Sequence, residues 1–318
     1  MANPDRAISR PPQYSVGFIG IGVLAKGLAL ALAQQGYRVT AVYSRNRSSA
    51  QWLAHRLPGC QVFTSAQQLA DYADLVFITT PDAAIGPVAT SVTWRPGQGV
   101  VHCSGALSLE ALRPAAEQGA SVGSFHPFQT FAGLDDPEQL ALTASMAAAR
   151  LRGVSFAVAG EGWVPDYLTQ MAAALGGRAM VIPDAHRPLY HASAILACGY
   201  LAALLDGAAG LWQEMGFGRR EAMAAIYPLA QATLENLARH PESIGASVTG
   251  PVVRGDVATV QAHLEALSRR RPELVPVYAA LTRASLPIAQ ERGVSPEDIS
   301  ALKATVDFYD GRLKPCGG

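Results

Sequence analysis

The sequence predicts an α/β protein: a doubly wound, mostly parallel sheet over residues 14–183, then an all-helical domain over 184–318. Three observations carry this. Residues 16–44 run strand, helix, strand around a glycine turn. Short apolar runs then alternate with helix-like segments as far as Ile182, the pattern of a parallel sheet covered on both faces. After Pro183 the apolar spacing becomes helical and strand-like alternation stops.

The elements follow in order. An apolar strand, Val16–Ile19, meets the turn Gly20-Ile21-Gly22; an Ala- and Leu-rich helix ends at Gly36, and Arg38–Tyr43 forms the second strand. Helices are expected near Ser48–Leu57, Ala66–Tyr72, from Asp82, and over Ser108–Gln118. The strands between and after them are Cys60–Phe63, Leu75–Thr79, Gly99–His102 and Ala120–Phe125. Phe128–Arg152 reads as an irregular connection with helix near Pro137–Arg150. Strands Val154–Ala159 and Ala179–Ile182 flank the helix Val164–Leu175 and extend the sheet. The second domain shows helices near Ala185–Met215, Arg219–Arg239, Val257–Arg269, Glu273–Arg292 and Pro296–Tyr309. Residues 1–13, polar and Pro-containing, are expected to be a disordered tail.

Composition narrows the function classes. Charged residues are 16% and apolar residues 49%, a globular balance. Lys+Arg and Asp+Glu are both 25, so no basic footprint for nucleic acid or an anionic membrane is expected. The longest apolar run, Ala194–Leu205, is too short to span a bilayer and reads as a buried helix. The N-terminus lacks the apolar core of a signal peptide. Four cysteines without CxxC or zinc spacing predict a reduced, cytoplasmic protein with no metal site.

The glycine turn predicts a dinucleotide site. Gly20 permits the turn and Gly22 lets a pyrophosphate approach the backbone, while the helix N-terminus offers free N–H groups and a positive dipole end. Ala25 is the small third position where helix and strand pack. Gly20, Ile21, Gly22, Val23 and Leu24 are the expected pyrophosphate cradle. NAD sites place an acid after the second strand; this chain has Ser44-Arg45-Asn46-Arg47-Ser48, which suits a 2′-phosphate and predicts NADP(H). Thr80-Pro81 is expected against the ribose or phosphate, with Asp82 as the alternative helix cap.

Ligands of open α/β sheets bind beyond the carboxyl ends of the strands, which selects Ser104, in a Ser-Gly turn, and His126. His126, followed by Pro127 and Phe128, is the leading acid–base candidate, since histidine titrates near neutrality. His191 is a second candidate on the long helix, sharing a face with Cys198 and lying one turn after Arg187. In the loop Thr249–Asp256, Arg254 suits an anionic group, and Asp256 either lines the site or caps the next helix. Each candidate has a structural alternative: a turn, a satisfied core histidine, or a salt bridge.

With these residues in place, the chain resembles Rossmann-like proteins that carry a C-terminal helical domain of unassigned function. These sit in the wider superfamily of 6-phosphogluconate dehydrogenase, ketopantoate reductase, pyrroline-5-carboxylate reductase and F420-dependent NADP oxidoreductase. The resemblance runs from about Tyr14 to Tyr309 and rests on Gly20–Ala25, Gly123–Phe131 with its His126-Pro127-Phe128, Tyr190-His191-Ala192, and Thr249-Gly250-Pro251 with Arg254-Gly255-Asp256, followed by Val260 and His263-Leu264. It implies a second domain like that of 6-phosphogluconate dehydrogenase and a homodimer built through it. It also implies that Thr249, Arg254 and Asp256 line the cleft between the domains. The His-Pro-aromatic element is similar to one in prephenate dehydrogenases, which implies that His126 meets a substrate hydroxyl during hydride transfer. Gly199 stands where the group usually has Asn, a departure that bears on catalysis.

The function expected from all this is an NADP(H)-dependent oxidoreductase acting on a small, anionic or neutral, carbonyl or imine compound. His126 would move the proton, aided by His191; Ser104 and Thr249 would orient the substrate; Arg254 would bind an anionic group. The rival is a non-catalytic NADP(H)-binding regulator or sensor, which Gly199 favours. A deazaflavin partner alongside NADP is a third reading.

Overall fold

The computed structural model describes residues 14–133 and 143–312. The expected tail over 1–13, the start of the helix expected near 137–150, and Cys316 lie outside the described residues. The chain divides into two compact units, one running to Cys198 and the other beginning at Gly199.

In the first unit β1 (Ser15–Ile19), α1 (Val23–Gln34) and β2 (Arg38–Tyr43) form the opening strand–helix–strand unit. There follow α2 (Arg47–Ala54), β3 (Gln61–Val62), α3 (Ala66–Tyr72), β4 (Leu75–Ile78), α4 (Asp82–Ser91), β5 (Gly99–His102), α5 (Arg113–Ala116) and β6 (Ser121–Pro127). The unit continues with α6 (Ala144–Leu151), β7 (Ser155–Gly160), α7 (Val164–Ala174), β8 (Arg178–Val181) and α8 (Arg187–Ile195). The eight strands make one sheet in the order β3-β2-β1-β4-β5-β6-β7-β8. The first six follow the order of a Rossmann sheet, with the reversal between β1 and β4.

Every pairing is parallel except β6 with β7, where His126 faces Ala157 across an antiparallel ladder. The sequence placed β7 in the sheet without its direction. The helix expected over Ser108–Gln118 is a 3-10 turn, Leu109–Leu112, leading into the four-residue α5, because Pro114 lacks the N–H needed to extend one continuous ladder.

Apolar strand residues face two separate cores, which is why the strands read as continuous hydrophobic runs. Val16, Phe18, Phe77 and Phe125 pack with Leu28, Leu53, Leu151 and Leu168 of α1, α2, α6 and α7. Ile19, Val76, Ile78 and Val100 pack with Leu69, Ile85 and Ala115 of α3, α4 and α5. The carbonyls that end α3 are capped from a distance: Arg95 and Gln98 donate to the carbonyls of Ala70 and Ala73.

The first unit extends past Pro183, the boundary expected from the change of periodicity. The reason is local bonding: Arg187 and Tyr190 of α8 bond to side chains of β6, so the start of the long helix packs with the sheet unit.

The second unit contains α9 (Leu201–Glu214), α10 (Arg219–Arg239), α11 (Ile244–Ser247), α12 (Val257–Arg270), α13 (Val275–Glu291) and α14 (Pro296–Arg312). Val260, Leu264, Ala279, Leu302 and Val306 form its main core, and Ala209, Ala222 and Ile226 a smaller one. The helical run Asp184–Glu214 includes a π-helical stretch, Leu196–Tyr200. By length and composition it could cross a membrane, and only 11% of its apolar window is buried. The expectation that Ala194–Leu205 forms a buried helix is therefore corrected: Ile195, Leu196, Tyr200 and Leu204 are exposed. Cys198, expected on the face of His191, is exposed too, as is every residue from 195 to 200.

Candidate functional site

A groove of about 920 Å³ opens where the strand order reverses. Its lining includes Gly20, Ile21 and Gly22 from the glycine turn, Ser44, Arg45 and Asn46 after β2, and Thr79, Thr80 and Pro81 after β4. The turn is fixed from both neighbouring strands: the Gly20 N–H donates to the Tyr43 carbonyl at 2.8 Å, and the Thr79 hydroxyl donates to the Gly20 carbonyl at 2.6 Å. Gly20 has φ +92, and a Cβ there would lie 2.9 Å from the Thr80 backbone nitrogen. Only glycine fits both constraints. Beside Gly22 a Cβ would meet nothing within 4 Å, so the space over the N-terminus of α1 is open.

Two further features mark the groove as a ligand site. The Thr80 hydroxyl is buried and has no partner among the described residues. Arg45 is exposed on the lining, and among the described residues nothing pairs with its guanidinium. The first turn of α1 holds no acid.

Three residues expected at the cofactor, two of the cradle and one of the 2′-phosphate loop, are not on the groove lining. The side chains of Val23 and Leu24 pack against the core, so these residues have only backbone N–H groups to offer at the start of α1, and Arg47 is the first residue of α2. Asn46 lines the groove while its side-chain oxygen caps α2 from the Ser49 N–H, at 3.2 Å.

A second cluster lies at the carboxyl ends of β5 and β6. His126 Nδ1 is 2.7 Å from the Tyr190 hydroxyl. Gly105 lies against both histidines: a Cβ there would sit 2.9 Å from His126 Nε2 and 3.0 Å from His191 Nδ1. The rings of His126 and His191 are 6.4 Å apart between centroids. His191 Nδ1 is buried without a partner among the described residues.

Behind them Arg187, 1% exposed, donates to Asp184 at 2.8 Å and to the Ser124 hydroxyl at 2.5 Å. Its Nη1 has no partner among the described residues. Burial first, then His191 and Arg187, push His126 down to about 4. Burial and Arg187 do the same to His102, also to about 4. Both imidazoles are therefore neutral at pH 7. Burial raises the Tyr190 phenol to about 12, with Arg187 opposing.

Ser104 departs from its expected role. Its hydroxyl donates to Asp82 at 2.7 Å and accepts from the N–H groups of Ala106 and Leu107. It holds the turn that carries Gly105 and has no hydroxyl proton left for a substrate. Asp82 correspondingly is the first residue of α4 and not its cap.

Thr249, Arg254 and Asp256 belong to the helical unit. Thr249 and Gly250 line a cavity of about 390 Å³ with His263, Tyr278 and Thr282, where His263 Nδ1 meets the Tyr278 hydroxyl at 2.9 Å. Both Asp256 carboxylate oxygens are occupied by the Thr259 N–H and hydroxyl, so it caps α12. Arg254 is exposed in the one-turn helix before it.

The sequence reading did not assign a role to Tyr190, Arg187, His102 or Ser124. The spacing of Arg187, Tyr190 and His191 along one helical face was the available signal for the first two. His102 and Ser124 end or lie within apolar strands and gave none.

Comparison with known proteins agrees with this architecture. Residues 1–127 match the model of the Rossmann-like domain, and residues 154–285 match a domain of unknown function, DUF2520. No curated protein matches the chain. Among solved structures, a candidate NADP oxidoreductase from Bacteroides fragilis is 23% identical with a TM-score of 0.69, covering 86% of this chain and 97% of that one. A 1-pyrroline-5-carboxylate reductase from Streptococcus pyogenes is 16% identical with a TM-score of 0.56, covering 94% and 98%. A reductive aminase from Aspergillus terreus, in complex with NADPH, is 18% identical with a TM-score of 0.54, covering 95% of each chain. At these identities the likeness establishes the shared fold.

Proposed function

For this Rossmann-like protein with a C-terminal DUF2520 domain, we propose an NADP(H)-dependent reductase or dehydrogenase acting on a small carbonyl or imine compound. The observation that carries the reading is the groove at the β1–β4 reversal. Its glycine turn, open helix N-terminus, partnerless Thr80 hydroxyl and free Arg45 fit a phosphorylated dinucleotide. Gly20–Gly22 and the start of α1 would hold the pyrophosphate, and Ser44 and Arg45 the 2′-phosphate. When bound, the reduced nicotinamide supplies a hydride to a substrate carbon.

The chain's own residues then account for binding and the proton. His126, neutral and held by Tyr190, presents Nε2 toward Gly105, and no described residue bonds that nitrogen. The exposed apolar residues Leu196, Tyr200 and Leu204 fall, in this reading, to a second copy of the chain. NADP-linked relatives of the same fold support the cofactor assignment.

The test is calorimetric titration with NADPH and, in parallel, NADH. NADPH is expected to bind at least about tenfold more tightly, with the preference lost in Arg45→Ala. Failure of both nucleotides to bind overturns the proposal. The commitment of Ser104 and Asp256 to internal bonds favours one alternative, a non-catalytic NADP(H) sensor. NADPH binding without turnover of any carbonyl or imine would select it.

A further inference from the structure

We propose that the site takes an uncharged carbonyl compound, an aldehyde or ketone, rather than an iminium ion, and that Tyr190 relays a proton through His126 to the carbonyl oxygen. The inference rests on the reductase reading above and narrows its substrate class.

Two observations carry it. The first is the short hydrogen bond between His126 and Tyr190. A neutral imidazole has one N–H and one lone pair. The Tyr190 hydroxyl lies 2.7 Å from Nδ1, and either group can donate; in the arrangement proposed the phenol donates and Nδ1 accepts, which puts the ring proton on Nε2. Nε2 is the nitrogen that faces Gly105, whose missing side chain lets the turn lie close against the ring. On that assignment His126 holds a neutral N–H donor at Nε2, which no described residue bonds, and Tyr190 backs it with a second donor.

The second observation is charge. Arg187 is a buried guanidinium whose only acidic partner among the described residues, Asp184, has a side chain 48% exposed. Around His126 the charged and titratable groups are Arg187, His191, Tyr190 and the exposed Asp82, so no buried carboxylate is found beside it among the described residues. A cationic iminium there would meet a buried positive charge without a compensating anion. A carbonyl oxygen gains negative charge as it is reduced, which is the charge these donors stabilise.

The proton step balances. As the carbonyl carbon gains a hydride from the dihydronicotinamide, the C=O π pair moves to oxygen. The His126 Nε2–H bond breaks and an O–H bond forms. Nδ1 takes the Tyr190 proton as its partner nitrogen gives one up; once the alcohol leaves, water protonates Nε2 and Nδ1 returns its proton to the phenolate, which restores the starting tautomer. His126 is the catalytic residue in this scheme, and Tyr190 positions and recharges it.

The decisive experiment has a readout independent of turnover. In protein labelled with ¹⁵N-histidine, the His126 resonances report which nitrogen carries the proton. The expected result is the Nε2–H tautomer at pH 7 in the wild type and a mixture in Tyr190→Phe. An Nδ1–H tautomer, or a spectrum unchanged by Tyr190→Phe, overturns the relay. A panel of ketones and aldehydes is then set against permanently charged N-alkyl iminium ions, with NADPH. Carbonyl reduction is expected, with kcat about 10²-fold lower in Tyr190→Phe and KM and NADPH affinity unchanged. Iminium reduction faster than any carbonyl, or undiminished in Tyr190→Phe, overturns the substrate assignment. Protein that binds NADPH and reduces neither class overturns the reductase reading itself, and the tautomer spectrum alone then decides the pairing of Tyr190 with His126.

Discussion

Arg187 in the sheet unit and Arg283 in the helical unit are both held by aspartates, yet they sit in different physical regimes. Arg187 is 1% exposed and bridges Asp184 to a buried serine on β6. Arg283 lies between Asp307 and Asp310 with its side chain 34% exposed. The same contrast runs through the two units. The sheet unit encloses two large apolar cores and gathers polar groups inside, at the ends of its strands. The helical unit has smaller cores and leaves Tyr227, Leu229 and Leu234 of α10 exposed. A buried polar network raises the stakes of every partner, while an open one spends its charge on water.

Acid is expected to separate the units most. His102 and His126 are held near 4 in the folded protein against an ordinary value of 6.5. The unfolded chain therefore takes up protons that the folded chain refuses. Their contribution is intact above pH 6.5 and is lost as pH falls from about 6.5 to about 4, by roughly 3 kcal/mol per histidine at the limit. Hydrogen exchange at stepped pH should show protection falling in β5 and β6 before α12–α14. Equal loss in both units would break the contrast.

Arg187→Met comes next. It removes the partner of the buried Ser124 hydroxyl, and urea denaturation should show a loss of about 2–3 kcal/mol. Arg283→Met should cost less than about 1 kcal/mol, since solvent screens that pair. A reversal of this order would show that packing, not burial of charge, governs both sites. The smallest effect is local: Asp256→Ala should speed amide exchange in the first turn of α12 and leave the sheet unit unchanged.

Much of the sheet was legible because its chemistry is local. The run Val16–Ile19 and its glycine turn announce a strand ending against a helix, and β1, α1 and β2 fall where they imply. The direction of β7 was not legible, because side-chain alternation is the same for either pairing. The groove was legible in Gly20, Gly22, Ser44, Arg45 and Thr80, whose places on its lining follow from short-range turn geometry. The histidine cluster was half legible. His126 and His191 stand out by residue type, but Tyr190 lies 64 positions from the ring it bonds, and Arg187 lies 63 from Ser124. Nothing in local spacing encodes such partners. Ser104 was misread for the same reason: the carboxylate that takes its proton, on Asp82, is 22 residues away.

The order of the strands also bears on aggregation. An intruding strand needs a run of unpaired N–H and C=O groups, and only the outermost strands have them. At one margin β3 is two residues long, too short to template a partner. At the other, β8 has four residues, opens with Arg178, whose guanidinium is tied to Ser155, and is followed closely by Pro183. Fibril seeding through the sheet would have to begin at Met180 and Val181, the apolar side chains exposed along that margin. A lysine at position 181 would protect the protein in storage without touching either the groove or the histidines.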